Sequence, residues 1–300
     1  MADTVSSLYK FCPFETGIKI LSSQTLRWSA PHLFRDPFEL NHTSDPHITA
    51  QSLLDVLLRE ALIMLFGPDE PSGRHNRLVN VMARWREQQK FVDEDQASDV
   101  LRDLLGQIAN IQMDKIQTYL GEWRQYATLA RIICFSDSVD SLPCWDQFAD
   151  RHRGLALRFE CGPNTNLSHP QRVTYAGHSP VVTSRNEQLD IIYGRRNEPV
   201  AEDFHTKLLT KSRHQAAEME WRCFDQGNAE DKDSDPSLWY DNWHFPAHEL
   251  RAVYCGALMS EDERGQITRL LRASFPGTRL YQAKIVEGRY ELEFEAAARS

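Results

Sequence analysis

A chain of 300 residues, 41% of them apolar, can bury a real core and has room for one large or two small domains. Its formal charge of -9 argues against a general binder of nucleic-acid backbone, whose affinity comes from clustered Lys and Arg, although a local basic groove is compatible with it. No apolar run reaches bilayer length, and Met1-Ala2-Asp3-Thr4 lacks the basic and apolar regions of a signal peptide, so a cytoplasmic protein without membrane contact is expected. The six cysteines form no close pairs of the zinc-ribbon or redox kind and are expected as free, buried thiols.

Leu8-Tyr9-Lys10-Phe11 predicts a first strand, followed after Pro13 by a short helical segment around Gly17–Leu21. A second strand follows over Thr25–Ser29, with Leu26 and Trp28 on one side and Arg27 and Ser29 on the other. Asp36 before Pro37 favours an extended or turn backbone, so His32 to Glu39 is expected as a rigid loop. Phe34 and Phe38 would anchor it in the core, with Asp36 and Glu39 at the edge of a cleft; a plain packed turn is the alternative. From Thr49 to about Leu129 apolar residues recur at helical spacing, which predicts an insertion of three or four helices. Thr49 and Ser98 are its expected N-caps, Gly67 to Gly73 a break, and Val92 to Gln96 an acidic connector or helix start.

Strand character returns at Ala130–Ser136 and Leu155–Phe159. Between them, Leu142 to Arg153 predicts a helix with Trp145, Phe148 and Ala149 facing inward and Gly154 ending it. His152 would sit in its last turn, where the helix dipole favours it; contact with a substrate is the sharper alternative. Further strands are expected at 171–175, 250–255, 279–285 and 290–294, a helix at 261–273, and an acidic loop at 228–237. Strands and helices mix without regular alternation. The expected fold is therefore a single α+β domain, its sheet mixed but mainly antiparallel, with a helical insertion at about 49–129.

One run is chemically unusual. Near Lys211, the spacing of Phe204 and Leu208 is helical; after Ala217, Glu218, Glu220 and Arg222 alternate with Met219, Trp221 and Cys223. A strand here would bury Met219, Trp221 and Cys223 and place two carboxylates and a guanidinium on the other face. Carboxylates roughly 7 Å apart on one strand face repel unless a cation or substrate lies between them, which raises one pKa and prepares acid or hydrogen-bonding chemistry. A solvated strand edge carrying a Glu–Arg pair is the plainer alternative.

The segments also have a recognisable order. Leu8-Tyr9-Lys10-Phe11, Phe34-Arg35-Asp36-Pro37-Phe38-Glu39, Phe135-Ser136, Trp145 with Phe148-Ala149-Asp150-Arg151-His152-Arg153-Gly154, Val173-Thr174-Tyr175, and Lys211 with Glu218, Glu220 and Arg222 follow one another. The set resembles the bacterial family called domain of unknown function twenty-nine seventy-one, with patterns L-Y-K-Y/F, F-N-D-P-F-E, F-S, W-x-x-Y-A-x-x-H-x-G and K-x-x-x-W-x-Y-E-x-E-x-R. Arg35, Phe148, Gln215 and Ala217 depart from it. The order is similar, more distantly, to that of mono-ADP-ribosyltransferases: a basic residue on a first strand, an aromatic or Phe-Ser motif on a middle one, and Glu-x-Glu at the start of a later one.

That likeness implies a split sheet and an enzyme that cleaves NAD at the nicotinamide–ribose bond and transfers ADP-ribose to an unknown macromolecular acceptor, as a toxin or phage-defence effector. NAD would be co-substrate, and no metal would be required. Cleavage builds positive charge on the sugar, which a carboxylate bonded to the ribose 2′-hydroxyl would stabilise; Glu220 takes that role. Glu218 would orient or deprotonate an acceptor, and Ser136 would bond the ribose or support Glu220. Lys10 would hold the pyrophosphate, with Arg27 in reserve, and Tyr9, Trp28, Asp36, Trp145, His152 and Arg222 complete the expected nucleotide-binding set. Two other classes compete. A metal-dependent hydrolase or nuclease could draw on His244 and His248 with Asp241 or Glu249, or on Asp36, Glu39, Glu218 and Glu220; a non-catalytic nucleotide sensor could use the same aromatic cleft.

Overall fold

The computed structural model describes residues 5–36, 38, 48–68, 76–199, 204–227 and 235–297. In chain order the first elements are β1 (Ser7–Cys12), α1 (Phe14–Ser23), β2 (Thr25–Ser29), α2 (Ala50–Phe66), α3 (Arg77–Glu87) and α4 (Glu94–Leu129). Next come β3 (Ala130–Ser136), α5 (Leu142–Gln147), β4 (Leu155–Glu160), β5 (Gln171–Arg172), β6 (Thr174–Ala176), α6 (Arg185–Ile192) and α7 (Phe204–Lys207). The chain closes with β7 (Thr210–Ser212), β8 (Glu220–Gln226), β9 (Tyr240–His244), β10 (Leu250–Cys255), α8 (Glu261–Ser274), β11 (Arg279–Ile285) and β12 (Leu292–Ala296). The fold is α+β. Two compact units form, one from residues 1–40, 127–179 and 208–300, the other from 41–126 and 180–207. The helical stretch expected at about 49–129 falls mostly in the second unit, which also takes in 180–207.

In the first unit a ten-stranded, mostly antiparallel sheet runs β12-β11-β10-β4-β1-β3-β2-β9, with β8 also on β3 and β5 on β8; β6 and β7 pair separately and in parallel. The fork at β3 positions the site. A strand has two ladder edges, and β8 takes one of them along all of β3, from Ala130 opposite Gln226 to Ser136 opposite Glu220. β1 and β2 share the other edge, touching it only at opposite ends: Tyr9 opposite Ser136, and Ser29 opposite Ile132. Between those points the sheet splits. Beneath it lies a core of alternating strand residues, including Leu8, Trp28, Leu157, Phe159, Trp221 and Val253, closed by Ile267, Leu271 and Phe275 of the α8 region. Ser260 and Glu263 cap α8 reciprocally, satisfying N–H groups that the helix itself leaves open.

In the second unit, Leu53, Leu57 and Ala61 of α2 pack with Val79 and Met82 of α3 and Leu101 and Leu105 of α4. Buried Tyr193 joins them and donates its hydroxyl to the Leu57 carbonyl at 2.8 Å. Thr49 caps α2 as expected. Ser98 does not cap α4, because Asp93 accepts the Gln96 N–H at 2.9 Å and starts the helix a turn earlier.

Three local expectations change. Phe38 is 83% exposed and anchors nothing, while Phe34 is half-buried. α5 stops at Gln147, and Asp150, Arg151 and His152 follow in left-handed conformation (φ 46°, 52° and 65°), so His152 belongs to a tight turn and not to a helix end. The last strand begins at Leu292, after a turn through Gly288 (φ 75°). All six cysteines are free thiols, five buried and Cys134 partly exposed. Among the described residues no helix is long and apolar enough to cross a membrane. The expectations for Glu39, for 69–73 and for 228–234 fall outside the described residues.

Candidate functional site

A cavity of about 570 Å³ opens at the split. Tyr9, Lys10 and Phe11 of β1, Arg27 and Ser29 of β2, and Ile132 to Ser136 of β3 form its floor. Leu33, Phe34, Arg35, Asp36, Cys144, Gln147, Phe148, Lys211, Gln215, Glu218 and Glu220 complete the lining. Lys10, Ser136 and Glu220 thus lie in one hollow. Tyr9, Ser136 and Glu220 are successive cross-strand partners on three neighbouring strands, which at ladder spacing span about 10 Å.

The acids are arranged differently from the expected strand face. A 3-10 turn over Arg213–Glu218 ends in Met219 with φ 47°, and β8 begins only at Glu220. Glu218 and Glu220 therefore reach one point from two kinds of backbone. Between them stands Lys211, whose Nζ donates to Glu218 Oε2 at 2.6 Å and Glu220 Oε2 at 2.8 Å. Arg222 Nε donates to Glu220 Oε1 at 2.7 Å, and its Nη1 donates to the Leu208 carbonyl. Glu218, Glu220 and Arg222 are 3%, 4% and 0% exposed, so the run is a buried chain of alternating charges, not a solvated edge.

Burial works against the Lys211 ammonium, but the Glu220 and Glu218 carboxylates outweigh it and push its pKa up. Burial raises the pKa of Glu218, and Lys211 only partly offsets this. Burial alone pulls Arg222 down to about 9, which leaves it a cation at neutral pH. Glu218 Oε1 and Gln215 Oε1 are buried without a hydrogen-bond partner among the described residues, two acceptors at a cavity wall that a ligand's donors would satisfy.

The backbone of Glu220 is held as well. Its N–H donates to the Tyr175 hydroxyl at 2.7 Å, and its carbonyl accepts the Val173 N–H at 2.9 Å. Lys10 Nζ donates to the Cys134 carbonyl at 2.9 Å, on the β3 edge bared by the fork, and lies 5.7 Å from the centre of the Phe135 ring. Two of its three donors are left for a ligand. The Arg27 guanidinium lies 3.6 Å over the Tyr240 ring. The Ser136 hydroxyl lies 3.3 Å from the Ser138 amide, and Asp36 accepts from Gln215 Nε2 at 3.1 Å.

Four expected nucleotide contacts do not line the cavity. Trp28 lies in the core with its ring 4.7 Å from that of Trp243, as the apolar side of its strand requires. Trp145 is fully buried, edges onto Phe11 and donates its indole N–H to the Val139 carbonyl at 2.7 Å. His152, in its left-handed turn, stacks on Trp145. Arg222 braces Glu220 from behind. The sequence reading does not assign Gln215, Cys134, Tyr175 and Lys211 to the site, although Tyr175, Lys211 and Gln215 stand at positions of the quoted motifs; Cys134 has only its place beside Phe135-Ser136 to mark it.

The residues proposed for zinc lie on separate elements: His244 ends β9, and His248 is in a 3-10 turn with Glu249, which accepts the Asn166 N–H. Asp241 pairs with Arg131. Among the described residues no three or more His, Cys, Asp or Glu side chains gather in a way suited to a metal ion.

Compared with family models, curated proteins and solved structures, the chain matches none.

Proposed function

We propose that the cavity binds NAD and that the protein cleaves the nicotinamide–ribose bond, passing ADP-ribose to an acceptor or to water. The observation that carries this reading is the meeting of a first-strand ammonium, a middle-strand hydroxyl and a buried late-strand carboxylate around one hollow. Its volume lies within the range of about 300–1,000 Å³ usual for small-molecule sites. When the C1′–N bond breaks, the electron pair leaves with nicotinamide and C1′ becomes cationic; the acceptor attacks C1′ and loses a proton. Glu220, held between Lys211 and Arg222, supplies the facing carboxylate and keeps lone pairs for the 2′-hydroxyl. Lys10 and Arg27 suit the pyrophosphate, and Glu218, with a raised pKa and an unpartnered oxygen, suits the acceptor's proton.

The same cation clamp on Glu220 favours a second reading, a site that binds the nucleotide without turnover. Calorimetric titration with NAD and chromatographic measurement of free nicotinamide separate the two. Binding with release is the expected result, binding alone supports the sensor, and neither at millimolar NAD removes both.

A further inference from the structure

Glu220 is held from two sides by one small piece of structure. β6 and β7 form a two-stranded parallel sheet in which Tyr175 is the register partner of Lys211. Both grip Glu220: the Tyr175 hydroxyl accepts its backbone N–H at 2.7 Å, and Lys211 Nζ donates to its carboxylate at 2.8 Å. Lys211 holds Glu218 at 2.6 Å with the same ammonium. A lysine 8% exposed is costly to bury, so its setting between two carboxylates calls for a reason beyond surface charge.

We infer that Lys211 is a positioning residue whose ammonium holds Glu220 aimed into the cavity beside a second carboxylate, and that the β6–β7 sheet is the clamp that presents it. The inference rests on the reading of Glu220 as the charge opposite the ribose. Without Lys211 the Glu218 carboxylate loses its ion pair, and two like charges share a buried site, where one of the pair binds a proton more readily. The groups facing the pair are Lys211 on β7, Arg222 on β8, Tyr175 on β6, Lys10 on β1, Cys134 on β3, Cys144 on α5 and Asp36 after β2. Arg222 is paired with Glu220, and Asp36 adds a further negative charge near Glu218. Lys211 is thus the cation common to both acids.

The test is Lys211→Met against the unaltered protein, read in two ways. Carbon NMR of labelled glutamate carboxyls follows protonation of the pair whatever the reaction, and the pH profile of nicotinamide release follows its effect on turnover. The expected result is an apparent midpoint at least one pH unit higher, an acid limb of kcat displaced with it, KM within threefold, and rescue of both by Lys211→Arg. Should Lys211→Met not fold, Lys211→Gln, which keeps a donor between the carboxylates without the charge, carries the same comparison. An unmoved midpoint, or a raised KM with unchanged kcat, overturns the inference. If the midpoint moves but the unaltered protein releases no nicotinamide, the clamp stands and the NAD reading falls.

Discussion

Ser136 and Glu220 are Cα partners at the end of the β3–β8 ladder, and Tyr9 pairs with Ser136 from the far side. That register brings three strands distant in sequence to one cavity, and the fork of β3 leaves the hollow open in front of them. Glu220 can therefore be both buried and in reach of a ligand.

Lys10→Met should weaken NAD binding about tenfold, the loss of one charge-assisted contact, with little change in kcat. Calorimetric titration of the two proteins checks this. Equal affinities would place the pyrophosphate elsewhere, with Arg27 the next residue to replace.

Arg222→Met should cost about 3–5 kcal/mol of stability, because it removes one of the two cations on buried Glu220 and the bond to the Leu208 carbonyl. The check is urea unfolding. A change under about 1 kcal/mol would mean that the guanidinium contributes little beyond packing.

Gly256→Ala should be strongly destabilising, since a Cβ there would overlap the carbonyl oxygen of His152 in the left-handed turn. Gly162→Ala, with nothing near its Cβ, should stay within about 0.5 kcal/mol. Thermal melting of the pair measures how rigid the turn over 150–152 is.

Stability should fall in alkali. Burial raises the Cys12 and Cys255 thiols from 9.0 to about 12. Above pH 9 the unfolded chain loses these protons while the folded chain keeps them, so unfolding releases protons and its free energy declines as pH rises toward 12, by about 1 kcal/mol per pH unit for each thiol. Urea midpoints at pH 8 and 10 should separate, and less so in Cys255→Ala.

The sheet was legible from alternation in Thr25–Ser29 and from continuous apolar runs in Ala130–Ser136 and Leu250–Cys255, all of which form strands. Alternation also placed Trp28 on the core side, which conflicted with giving it a nucleotide role, and the packing settles that in favour of the core. The 3-10 turn before Glu220 was not legible, because Arg213 to Glu218 carries no apolar period and the left-handed Met219 has no glycine to announce it. Nor could spacing show that Lys211 folds back between two acids, since β7 has only three residues and owes its place to pairing with β6.

The most direct test of the central claim is the rate of nicotinamide release from NAD by the unaltered protein and by Glu220→Gln, compared at equal folded fraction. The account predicts measurable release that falls by about 100-fold or more in the variant, whose amide keeps the shape but not the charge facing the sugar. Equal rates, or no release by either protein at millimolar NAD, would contradict it.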